Sequence, residues 1–272
     1  MRNKKRGGFV LHIITTRPWK ADRLGAVLHD DRSAIDTSGF VDGEDAAWLT
    51  AGHASMHWAQ ATDGWGFQDA LWWTLPSEFL GRPVAHGPAP AVSEHLQRRP
   101  GFVKLARHKY NYFPAKIRSA EDFEHDLTAR PWLPKHEFVW SAPMEIDTEY
   151  RVWIANGDVL YACSYHTAGD DRPTQAAPAD ALALAGEIAL HVPGALAVDI
   201  ATLRSGQLVV VETNPVWCAG FLAAPREVLE TALLASQGRG AVADRYIPDA
   251  AVQQMLTGTP PRTNAERPTR TP

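Results

Sequence analysis

Asp199, Glu212 and Asn214 are the three residues whose types and spacing point most directly to chemistry. They fall in the stretch AVDIATLRSGQLVVVETNP, Ala197 to Pro215, where two runs of β-branched and apolar residues flank Arg204-Ser205-Gly206-Gln207. Such runs around a glycine-bearing turn predict a β-hairpin, with Gly206 free to take a positive φ. A two-residue turn at Ser205-Gly206 sets Asp199 opposite Glu212, and Asn214, two residues on, shares the face of Glu212. A one-residue bulge at Gly206 shifts that pairing. Neighbouring strand carboxylates repel and desolvate badly unless a cation or hydrogen bonds compensate. An all-oxygen set of Asp, Glu and an amide suits Mg²⁺, which keeps several waters and binds substrate phosphates as well. The competing reading is a hairpin whose acids face water. Val209-Val210-Val211 weighs against it, because a run apolar on both faces reads as burial on both sides.

Other charged residues fit the same chemistry. Lys104 lies on a predicted strand, Phe102 to Ala106, and Lys116 in Pro114-Ala115-Lys116-Ile117. Glu149 and Arg151 sit two apart, hence on one face, in a second hairpin from Glu149 to Tyr165 that turns at Asn156-Gly157. A nucleoside triphosphate needs cations on its phosphates, a divalent metal bridging them and a low-dielectric slot for the base. Each piece has a plainer reading: Lys104 as a snorkelling edge residue, Glu149 and Arg151 as a same-face ion pair of little energy. Neither GxxxxGK[ST] nor GxGxxG occurs. His53 and His57 have metal-ligand spacing on a helix, but Ala54 stands where HExxH has its base and no third ligand follows. Cys218 reads as inert core. His166, Asp170 and Asp171 fall in a loop, and Trp65, Trp72 and Trp73 read as packing.

The elements that must position these groups follow from pattern. Phe9 to Thr15 reads as a strand, Ala21 to His29 and Glu44 to Gln60 as helices, and Pro83, Pro88 and Pro90 as a loop before a short helix, Ser93 to Arg99. Ser119 opens a helix to Arg130, with Asp122 at capping-box spacing. Glu137 to Ser141 is an extended apolar run, and Ala179 to His191 and Arg226 to Gln237 are helices. The last 16 residues, Thr257 to Pro272, are rich in Pro, Thr and Arg and read as a disordered tail.

Composition narrows the class. A chain of 272 residues with 45% hydrophobic and 21% charged residues has the makeup of a globular protein, and its net charge of -4 gives no electrostatic case for nucleic acid. Two cysteines, far apart, suit a reducing cytoplasm. Arg2, Lys4, Lys5 and Arg6 before FVLHIITT imitate the start of a signal peptide. The apolar run is short, contains His12 and leads into Arg17-Pro18-Trp19 without a small-residue cleavage site, so a buried first strand is expected. No run is long enough to span a bilayer.

From about Gly101 to Gln237 the chain resembles an ATP-grasp domain, and most of all the R2K clade of that superfamily. The matching pieces are FVKLARHKYNYFPAKI, HEFVWSAPMEIDTEYRVWIANGDVL and LAVDIATLRSGQLVVVETNPVW, in that order. The resemblance implies an α+β fold in which antiparallel sheets clamp a nucleotide. It divides the chain into an α/β region at 1–100, an ATP-grasp domain at 101–247 and the tail. It implies ATP and Mg²⁺ as cofactors, with Lys104 and Lys116 on phosphates and the backbone near Val139, Trp140 and Ser141 on adenine. Glu149 and Arg151 match an ExR pair, with Arg151 near the transferred phosphate, and Asp199, Glu212 and Asn214 match the metal positions. The sequence departs from the family pattern at Pro215, where an acid is usual, and at Leu105, where proline is frequent. The implied chemistry is phosphoryl transfer to a carboxylate followed by attack of an amine, on a small-molecule or peptide substrate. The alternatives are a kinase of the same fold and a nucleotide-binding protein without catalysis.

Overall fold

Three sheets organise the computed structural model, which describes residues 11–15, 17–29, 46–48, 72–106, 113–167, 177–192 and 194–236. The first is parallel, with β1 (Leu11–Ile14) between β2 (Val27–His29) and β3 (Ala46–Trp48). The second is antiparallel, in the order β4 (Val84–Pro88), β7 (Glu137–Ser141), β5 (Gly101–Leu105), β6 (Lys116–Arg118). The third is also antiparallel, in the order β11 (Leu208–Pro215), β10 (Ala195–Leu203), β8 (Ile146–Ala155), β9 (Asp158–Thr167). Among the described residues six α-helices accompany them: α1 (Pro18–Leu24), α2 (Ser77–Leu80), α3 (Ala89–Arg98), α4 (Ala120–Ala129), α5 (Ala179–Ala189) and α6 (Arg226–Ser236). Among the described residues no helix is long and apolar enough to cross a membrane.

Local chemistry explains most boundaries. Ser119 Oγ accepts from the Asp122 N–H at 3.1 Å while an Asp122 carboxylate oxygen accepts from the Ser119 N–H at 3.0 Å, the reciprocal cap the sequence predicts. Asn156 and Gly157 both take positive φ, 53° and 87°, which closes the β8–β9 hairpin as a two-residue turn.

Several expectations are corrected. α1 starts at Pro18 and stops at Leu24, where Gly25 takes φ 60°, and residues expected to continue it form β2. Ala46–Trp48, expected in a helix, is a strand parallel to β1; the rest of that expected helix, with His53 and His57, lies outside the described residues. Strands of a parallel sheet are covered on both faces and carry no alternation to read. Trp48 is buried against Trp153 and Phe221, with ring centroids 5.9 Å and 4.5 Å away. The proline-rich stretch is β4 and the start of α3 rather than a loop. β4 is an edge strand, so the N–H missing from Pro88 need break no ladder, and Pro90 occupies the first helical turn. Through β4 the second sheet reaches back before residue 100.

The core forms two clusters. One gathers β1, α1, Trp48, α6 and the Trp153 face of the third sheet. The other gathers α5 and the Val152 and Ile200 face of that sheet, together with Val139 and Leu80.

Candidate functional site

β10 carries Asp199, and its neighbours on both sides extend one row across the third sheet. Arg151 of β8 pairs with Asp199, Asp199 pairs with Glu212 of β11, and Cys163 of β9 pairs with Arg151. Directly paired residues share a face, so four functional groups stand side by side. Arg151 donates through Nε and Nη2 to the two Asp199 carboxylate oxygens at 2.7 and 2.6 Å, a bidentate pair. Asn214 Nδ2 donates to Asp199 Oδ2 at 2.8 Å. Asp199 and Asn214 are fully buried, and Arg151 nearly so.

The register that makes this row differs from the one expected, yet ends in the same place. The turn has three residues, Arg204, Ser205 and Gly206, since Leu203 N–H donates to Gln207 O and Gly206 N–H to Leu203 O, both at 2.8 Å. That pairs Ile200 with Val210, one residue off the expected register. A bulge between Val210 and Glu212 then restores it, and Asp199 faces Glu212 as the sequence predicts.

Lys104 reaches this row from the second sheet. Its Nζ lies 2.7 Å from Glu212 Oε2, with both side chains largely buried. The contact joins β5 to β11, strands of different sheets. Lys104 shares a face with Val139, its partner in β7. Lys116 pairs with Val103 and therefore lies on the other face, with its side chain exposed, so the structure does not bring it to Lys104. Val139, Trp140 and Ser141 form part of β7, flanked by β4 on one side and β5 on the other. The first backbone beyond those ladders is 142–145, which leads into β8. Glu149 is buried on the Arg151 face.

A cation fits this arrangement on one observation in particular. Asn214 Oδ1 is buried and accepts no hydrogen bond, on the face it shares with Asp199, both of whose carboxylate oxygens bind Arg151, and Glu212, which binds Lys104. Buried amide oxygens without a partner are rare and costly, and a hard cation satisfies one directly. Among the described residues no group of three His, Cys, Asp or Glu side chains could hold a metal; a cation bound here would need the Asn214 amide beside Asp199 and Glu212, with water or phosphate completing its shell.

Neither Cys163 nor Cys218 is part of a disulfide. Burial pushes the Cys163 thiol up from its usual range, against a smaller downward pull from the Ala223 N–H. Cys218 Sγ sits 3.7 Å from Pro215 O, in the segment after β11. The side chain of His166 and residues Asp170, Asp171 and Trp65 lie outside the described residues. Sequence reasoning missed Arg82, which binds backbone carbonyls of β11; an arginine between Gly81 and Pro83 carries no motif that could have marked it.

A lysine-bearing antiparallel sheet bonded to a second sheet that carries Asp, Glu and Asn in register is the architecture of the ATP-grasp fold. The chain belongs to the ATP-grasp domain, R2K clade family 3, whose model matches residues 27–233. Among solved structures, a D-cycloserine synthetase is similar at TM-score 0.52 and 15% identity, over 84% of this chain and 98% of the other. A D-alanine–D-alanine ligase from Bacillus anthracis, complexed with ATP, is similar at TM-score 0.49 and 12% identity, over 84% of this chain and 96% of the other. At such identities the first of these likenesses is one of fold. No curated protein matches the sequence.

Proposed function

We propose that this protein is an ATP- and Mg²⁺-dependent, ADP-forming ligase that activates a carboxylate as an acylphosphate and joins it to an amine. The observation that carries this reading is the partnerless, buried Oδ1 of Asn214 beside Asp199 and Glu212, with Lys104 facing them from the other sheet. Family membership supports it. Asp199, Glu212 and Asn214 would hold Mg²⁺, which when bound offsets negative charge on the phosphates.

The chain's own groups supply the rest. Lys104 holds phosphate oxygens. Arg151, held in place by its two bonds to Asp199 and by Nη1 on Gly220 O, supplies positive charge to the transferred phosphoryl group. Adenine lies where β7 ends at Ser141 and the backbone leaves its ladders, and Glu149 contacts the nucleotide from the Arg151 face. A substrate carboxylate oxygen bonds to the γ-phosphorus as the bond to the β,γ-bridging oxygen breaks, releasing ADP. The amine then bonds to the acyl carbon, phosphate leaves with the C–O electron pair, and the amine proton goes to solvent. No protein nucleophile is required, and the work is positioning and charge. Lys116, on the opposite face from Lys104, has no part in this scheme. We place the protein in a reducing cytoplasm, in keeping with its two cysteines, neither of them in a disulfide.

Incubation with ATP, Mg²⁺ and a pool of amino acids and peptides, read by mass spectrometry, tests the reading. A condensed product with ADP and phosphate is expected. A phosphorylated product alone would make the protein a kinase, and nucleotide retained without turnover would make it a binder.

A further inference from the structure

Arg82 lies between the second and third sheets and contacts both. Its Nε donates to Ser141 Oγ at 3.1 Å, Nη1 to Leu80 O and Val210 O at 2.8 Å each, and Nη2 to Val211 O at 3.0 Å. All four acceptors are uncharged, and the guanidinium carbon stands 5.4 Å from the centre of a Trp72 ring. Burial pulls its pKa down to about 10, which leaves it charged at neutral pH.

The reason to bury a cation among carbonyls lies in the strand it holds. β11 is an edge strand, so carbonyls on its outer side have no neighbour in the sheet. Val211 is the extra residue of the bulge that restores the register after the three-residue turn. Were that bulge absent, Asp199 would pair with Val211 and every later side chain of β11 would change face. Glu212 and Asn214 would then point away from Asp199, and Val211 and Thr213 would replace them. The carbonyls that Arg82 binds, those of Val210 and Val211, are the ones at the bulge.

We propose that Arg82 is a positioning residue: by holding the Val210 and Val211 carbonyls it fixes the β11 bulge, and so keeps Glu212 and Asn214 turned toward Asp199. Its consequence for metal binding rests on the cation site proposed above. A lysine keeps the charge but offers one nitrogen where the guanidinium uses three, so it cannot span these acceptors.

The test uses the full chain as wild type, R82A, R82K and E212Q. Free Mn²⁺ is titrated by electron paramagnetic resonance without nucleotide, which would itself complex the ion, and hydrogen–deuterium exchange is followed over residues 208–215. R82A and R82K should weaken Mn²⁺ binding by about tenfold or more, since two part-buried carbonyls at the bulge lose their donors. Both should speed exchange in β11. E212Q should lose Mn²⁺ while exchange in β11 speeds less than in R82A or R82K, a separation that general loosening of the fold would not produce. If R82A fails to fold, R82K carries the test. Wild-type Mn²⁺ affinity and exchange in the folded Arg82 variants would overturn the proposal. Absence of Mn²⁺ binding by wild type would instead sink the cation site, and normal exchange in R82K would separately sink the clamp.

Discussion

Each acid of the candidate site is already spoken for by a base, and this sets what a single substitution does. Asp199 holds the Arg151 fork and the Asn214 amide, and Glu212 holds Lys104. Glu212→Gln keeps the volume and an acceptor for Lys104 but removes one ligand charge. It should cost about 1–2 kcal/mol of stability, the scale of a charged hydrogen bond made neutral, while Mg²⁺-dependent turnover is lost. Denaturant unfolding beside an ADP-release assay checks both halves, and a mutant as active as wild type would take Glu212 out of the site. At this scale the sequence was informative: residue types and a strand period of two were enough to group Asp199, Glu212 and Asn214. Lys116 was not legible in the same way. Which face it takes depends on the pairing of β6 with β5, a long-range register that no local pattern contains.

At the scale of elements, the β10–β11 hairpin shows how a register can be right through two offsetting departures. The three-residue turn moves the strand by one, and the bulge moves it back. Glycine spacing signals a turn but not its length, and a bulge within Val209-Val210-Val211 leaves no mark in an apolar run. The cap of α4 is the opposite case, since Ser119 and Asp122 state it in full. The Ser119 backbone N–H, then its hydroxyl, holds the Asp122 carboxyl below its usual range. A carboxyl depressed in the folded state adds stability above its unfolded pKa of about 3.9, and that contribution disappears as pH falls through the folded value. Asp122→Asn should therefore lower the thermal midpoint near neutral pH, and the gap to wild type should close as pH drops below about 4. A gap that stays constant with pH would mean the carboxylate charge does not contribute to the cap.

Over the whole molecule, the described contacts between the second and third sheets concentrate where the site is. Lys104 bonds Glu212 midway along β11, and Arg82 links Ser141 to the bulge just before it. Sequence alone separated the two hairpins and the capped helix and placed the first strand and the helix before residue 100, but it missed β2, β3 and β4, where short parallel strands lack alternation and β4 hides among prolines. The sheet-to-sheet contact makes a prediction that belongs to no single strand. Lys104 and Glu212 each supply the other's countercharge, and ATP with Mg²⁺ would exchange that pair for Lys104 on phosphate and Glu212 on the cation. Ligand that binds only the folded protein at a hundred times its dissociation constant adds about 2.7 kcal/mol, and each kcal/mol moves the midpoint of a chain this size by roughly 2–4 °C. Wild type should therefore gain several degrees with ATP and Mg²⁺ together. Lys104→Ala should lose most of the ATP increment, because the phosphates lose their cation. Glu212→Gln should keep an ATP increment but lose the addition that Mg²⁺ brings. Equal gains in all three proteins would separate the nucleotide from this contact, and the two sheets would then be joined by a pair that serves stability alone.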